Sequence, residues 1–179
     1  MKKTIVLILC FIATTITTQG QHEKGDIMTS LLVSPFPTTS DNQDDFGIIG
    51  KINLEFFVSN EVSFSGSFFT TNNTLITNDS GLTIHSYGFI PSIQYYLLNN
   101  EKFNLFAQLG YGFGFEDRTR REIENSALTV FSAGFGANYK VADKLYIKGT
   151  LPYFKGQNIT IDEKAADGIA VFLGINYAL

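Results

Sequence analysis

From Phe46 to Leu179, apolar side chains recur at every second position in one segment after another. Successive residues of a β-strand point to opposite faces, so this alternation describes strands with one apolar and one polar face. Residues 46–58 set Phe46, Ile48, Ile52, Leu54, Phe56 and Val58 on one face, against Lys51, Asn53 and Glu55 on the other. Residues 62–71, 86–98, 103–115, 127–140, 144–154 and 168–179 repeat the pattern. Residues 27–34 supply an eighth strand with Ile27, Thr29, Leu31 and Val33 on one face, although Met28 and Leu32 make its other face apolar too.

The connections alternate in length. Residues 59–61, 99–102 and 141–143 are tight turns, whereas 35–45, 72–81, 116–125 and 155–167 are expected to form long loops. Short turns at one end and long loops at the other are the habit of transmembrane barrels. Only 17% of residues are charged, against about 25% in soluble domains. No Asp, Glu, Lys or Arg falls on the apolar face of the seven strands from Phe46 onward, and Lys51, Glu55 and Lys148 all fall on the other. A Lys or Arg facing lipid at mid-depth costs roughly 2–4 kcal/mol.

With strands running alternately up and down, Phe56, Phe64, Tyr95, Phe103, Tyr139 and Tyr177 gather at the turn-side ends of the apolar face. Phe46, Phe68, Tyr87, Phe89, Tyr111, Phe113 and Tyr153 gather at the loop-side ends. Aromatic rings at both boundaries suit a membrane interface. A soluble lipocalin-like barrel would invert the two faces, yet the less apolar face of residues 168–179 is Ala170, Phe172, Gly174, Asn176 and Ala178. That makes a poor water-facing surface and a reasonable crowded interior.

The N-terminus has the form of an export signal: Lys2 and Lys3, an apolar run over residues 5–12, and small residues around Thr18-Gln19-Gly20. Cleavage after Gly20 is expected, leaving residues 21–179 as one barrel domain. The apolar run falls short of the roughly 20 residues that span a bilayer. The single cysteine, Cys10, lies inside this signal behind Leu9, which argues against a lipoprotein and leaves no thiol for a disulfide or metal. A net charge of −4 gives no basic patch for nucleic acid.

On these features the chain resembles the small OmpA/OmpX-type outer-membrane barrels. The resemblance rests on the signal, the eight alternating strands, the loop alternation and the closing strand over residues 168–179. It implies an all-β, eight-stranded antiparallel up-and-down barrel in the outer membrane of a Gram-negative bacterium. It further implies insertion by the barrel-assembly machinery and contact with outer-membrane lipid and lipopolysaccharide. The family often ends in an aromatic residue, whereas this chain ends in Leu179 with Tyr177 two before it.

Candidate site residues divide between lumen and surface. Lys51, Glu55 and Lys148 would share the interior, where buried charges need partners. Glu55 is expected to pair with Lys51 or Lys148, helped by Gln94, Gln108 and Tyr146. Arg118, Arg120 and Arg121 sit in the third long loop, residues 116–125, among acidic neighbours, and suit phosphate geometry at the surface. His85 lies beside Ser86 and near Asp79 and Ser80. Adjacent strand residues face opposite ways, so no catalytic pairing is expected there. Asp41, Asp44 and Asp45 lack diagnostic cation-binding spacing. His22 falls in an N-terminal segment expected to be mobile. No catalytic residue, cofactor or metal site is assigned. The main expectation is a structural or surface-display barrel, with a narrow pore and a lipid A-modifying enzyme as alternatives.

Overall fold

The computed structural model describes residues 22–40, 43–77, 80–118, 123–160 and 163–179; the expected export signal lies outside them. The strands are β1 (Ile27–Ser40), β2 (Gln43–Phe57), β3 (Val62–Thr77), β4 (Ser80–Asn99), β5 (Phe103–Arg118), β6 (Ile123–Lys140), β7 (Leu145–Asn158), β8 (Glu163–Ile169) and β9 (Phe172–Ala178). Each pairs antiparallel with its sequence neighbour from β1 through β8, and β9 pairs with both β7 and β1. The ring is therefore closed, with β8 and β9 as two halves of the eighth strand.

The break in that strand has a local cause. Opposite Ala170 stands Pro152 of β7, which has no N–H to give to the ladder. The Ala170 N–H still donates to the Pro152 carbonyl at 3.0 Å, so the two halves stay in line. The sequence pattern, read on side chains alone, runs through the break as one strand.

A second difference concerns the four long loops. The ladders continue well past the apolar segments, to Ser40↔Gln43, Thr77↔Ser80, Arg118↔Ile123 and Asn158↔Glu163. Most of what reads as loop is strand. Side-chain alternation stops where the hydrocarbon stops, but each further pair still satisfies backbone donors and acceptors, and Thr-rich stretches suit extended backbone.

The two faces sort as the alternation predicts. Leu31, Ile52, Leu54, Phe68, Tyr111, Phe113, Phe135, Leu151, Leu173 and Ile175 all point outward and are exposed. Inside, Leu32, Ile49, Phe69, Ile90, Leu128, Val130, Phe154, Ala170 and Phe172 form an apolar plug in the loop-side half. Met28, Phe57, Tyr96, Phe106 and Tyr146 form a second cluster toward the turns.

Glycine permits the closest backbone approach at the seam that closes the ring. A Cβ on Gly174 of β9 would fall on the Leu31 carbonyl oxygen of β1 and 2.9 Å from the Leu32 Cα. Backbone on both sides leaves nothing flexible to yield. Gly174→Val is expected to lower the urea midpoint of the folded barrel in detergent by an amount equivalent to about 1–3 kcal/mol. An unboiled against boiled SDS gel reports the same loss as a smaller heat-resistant fraction.

Candidate functional site

Strand β2 delivers the interior polar groups because Lys51, Asn53 and Glu55 share one face of it. Glu55 is fully buried. Its Oε1 accepts hydrogen bonds from the Ser63 hydroxyl at 2.6 Å and the Tyr96 hydroxyl at 2.6 Å. Its Oε2 accepts one from Lys148 Nζ at 3.0 Å. Lys148 reaches this point from β7, with its ammonium 5.0 Å from the Phe106 ring centre. Four strands thus meet at one carboxylate. The cluster contains an ion pair and two hydroxyl donors, all mutually engaged, and it acts as a lock across the lumen.

Of the residues expected at this cluster, the structure brings Glu55 and Lys148 together. Gln94 turns to a separate partner, donating from Nε2 to Ser65 Oγ at 3.1 Å. Tyr146 lies in the turn-side aromatic cluster. Lys51 stands apart over the Phe172 ring, 4.9 Å from its centre, and shares a small chamber with Gln108.

The turn-side mouth holds a residue whose role the sequence concealed. His22, expected in a mobile segment, is 1% exposed. Its ring lies 4.5 Å from Phe57, 5.8 Å from Tyr96 and 5.6 Å from Tyr146, centre to centre. Its Nε2 faces the Asn104 side-chain nitrogen at 2.8 Å, and Asn99 Nδ2 donates to its carbonyl at 3.4 Å. A tight turn folds it back. Gly25 adopts φ +100°, a conformation that favours glycine, and donates to the Phe57 carbonyl at 2.8 Å. Asp26 accepts the Glu23 N–H on its carboxylate at 2.9 Å. The Gly25–Asp26 pair was the only signal in sequence that this segment turns.

Burial lowers the His22 imidazole from 6.5 to about 4, against the opposing pull of Glu55 and Asp26. The docked ring is neutral, and Asn104 Nδ2 donates to it.

At the loop side, Glu116 and Arg118 point inward from β5. Arg118 Nε donates to Glu116 Oε1 at 2.7 Å, and Asn158 Nδ2 donates to the same oxygen at 3.1 Å. Arg118 is 7% exposed. This corrects the expectation that Arg118 is a surface contact: β5 continues through Arg118, and strand alternation sends its side chain to the lumen. Arg120 and Arg121 lie outside the described residues.

His85 faces outward and Ser86 is buried, on opposite faces of β4. Asp79 and Asp41 lie outside the described residues. Among the described residues, no group of three or more His, Cys, Asp and Glu gathers to hold a metal ion.

Two outcomes follow from this geometry. Lys148→Met strands a buried carboxylate and is expected to cost about 3–5 kcal/mol in urea unfolding, while Glu55→Gln with Lys148→Met together recovers much of the loss. The His22 shift makes docking of its segment depend on pH. The undocked ring takes up a proton below about 6.5, and the docked ring only near pH 4. Docking is therefore fully favoured above about 6.5 and is lost as pH falls through about 4. An NMR titration of the His22 ring protons should show a midpoint near 4 in the folded barrel and near 6.5 in urea.

A scan against protein-family models and a search of curated proteins found no match to this chain. Solved structures do match. Ail, the attachment invasion locus protein of Yersinia pestis, is 17% identical; the match covers 87% of this chain and 99% of Ail, with a TM-score of 0.57. OprG of Pseudomonas aeruginosa is 12% identical over 90% of this chain and 99% of its own, with a TM-score of 0.61. OmpW of Escherichia coli is 11% identical over 88% of this chain and 100% of its own, with a TM-score of 0.52. The chain has the fold of the small, eight-stranded outer-membrane barrels of the OmpA/OmpX type.

Proposed function

We propose that this chain is exported to the outer membrane of a Gram-negative bacterium. There it serves as a closed, non-catalytic barrel that holds its loop-side hairpins out from the surface for envelope integrity, adhesion or defence. The observation that carries the reading is the filled lumen. From the turns upward, His22 occupies the mouth, the Glu55–Lys148 pair spans the interior, the apolar plug follows, and Glu116 with Arg118 lies beyond it. Each layer joins residues from several strands, so none opens without a rearrangement of its neighbours.

The hairpins support the display half of the reading. The β3–β4 ladder runs from Thr70↔Tyr87, at the outer aromatic level, on to Thr77↔Ser80. Seven further residues at about 3.4 Å each carry paired backbone about 24 Å farther along the strand. Paired strands hold their tips at defined positions at a lower entropy cost on contact than loose loops. Arg120 and Arg121, which follow β5 in the sequence, are the groups best suited to phosphates of lipopolysaccharide or another anionic surface. Insertion would use the barrel-assembly machinery.

Planar-bilayer recording tests the closed lumen. Wild type and Lys148→Ala are both expected to give no conductance steps, and steps in wild type that change in Lys148→Ala would instead establish an ion path along these groups. An epitope inserted between Arg120 and Arg121 should be reached by antibody on intact cells.

A further inference from the structure

We propose that the lumen contains a binding site for one small monovalent inorganic anion of the halide class, organised by Lys51. The inference begins with a charge imbalance. Among the described residues the buried cations of the lumen are Lys51, Lys148 and Arg118, and the buried carboxylates are Glu55 and Glu116. Lys148 is paired with Glu55 and Arg118 with Glu116. Lys51 is the remaining charge. It is 8% exposed, the Phe172 ring centre lies 4.9 Å from its ammonium, and Glu55, whose charge it also feels, is already engaged by Lys148, Ser63 and Tyr96. A ring face softens the burial of an ammonium but supplies no counter-charge.

The chamber beside Lys51 has the chemistry of an anion site. Its room is about 10 Å³, enough for one water-sized body. No carboxylate lines it; Ser67, Ser92, Gln108 and Ser132 do. Ser67 gives its hydroxyl proton to Asn53 Oδ1 at 2.8 Å, and Ser92 gives its own to the Ile90 carbonyl at 3.4 Å. Gln108 and Ser132 make no side-chain hydrogen bond among the described residues, so their donors remain available to the chamber.

Three donors, one of them charged, therefore face a space that holds one small particle. A water molecule would satisfy hydrogen bonds but leave the charge. Sulfate and phosphate exceed the room. A halide supplies the missing negative charge and accepts from all three donors at once.

The test uses the full barrel refolded from urea into detergent micelles, in sodium bromide or in sodium gluconate at equal ionic strength. The urea midpoint should rise with bromide concentration and stay flat in gluconate. Crystals grown in bromide should show an anomalous-scattering peak within hydrogen-bond reach of Lys51 Nζ. Lys51→Met should abolish the bromide dependence. Ser132→Ala, which keeps the charge, should weaken apparent bromide affinity roughly tenfold. A chamber without an anomalous peak, or a bromide dependence that Lys51→Met or Ser132→Ala leaves unchanged, overturns the proposal.

Discussion

Hydrocarbon offers a peptide group nothing to bond with. An unpaired N–H or C=O there costs several kcal/mol, so a strand can cross only if both its edges are taken. In this chain the pairing of β9 with β1 meets that demand, and the other features of the barrel are consequences of closing the ring. The two interior prolines of the spanning strands show how tightly the demand is held. Pro152 interrupts the eighth strand, yet the Ala170 N–H finds the Pro152 carbonyl across the gap. Pro91 falls in the stretch where the β4–β5 register skips from Phe89 to Ser92, while β4 keeps its pairing with β3 there.

A ring of eight strands encloses a lumen just wide enough for side chains. The interior must then reconcile bulk with polarity. Glycine on the inner face lets the Phe106 ring lie against the β6 backbone at Gly136, and Phe69 against Gly88. The polar groups are matched mostly in small closed sets: Ser30 with Asn176, Asn53 with Ser67, Gln94 with Ser65, Glu55 with its three donors. Narrowness and internal pairing together make the barrel a rigid frame.

The architecture was legible because period-two alternation is a direct image of a wall with lipid on one side. Residues 46–58 announce both faces without any tertiary information. The faces, the tight turns and the inward position of Lys51, Glu55 and Lys148 follow from that one regularity. What it could not show were features that leave side-chain polarity unchanged. The strand extensions past residues 34, 71, 115 and 154 are written in backbone pairing, where Thr and Asn alternate with nothing. Arg118 looked like loop for the same reason. The partner of Glu55 was open between Lys51 and Lys148 because the choice depends on which strands adjoin around a closed ring. His22 was hidden most deeply, since its burial depends on a turn at Gly25 and on rings contributed by residues far along the chain.

That last dependence bears on the order of assembly. The pocket around His22 draws Phe57 from β2, Tyr96 from β4, Asn104 from β5 and Tyr146 from β7, and no single hairpin contains it. An unfinished sheet offers the imidazole no home, because the walls come together only when the chain has curled past its sixth strand. The segment ahead of β1 can therefore dock only after those four strands have been drawn around one lumen, and a buried His22 ring reports that they have.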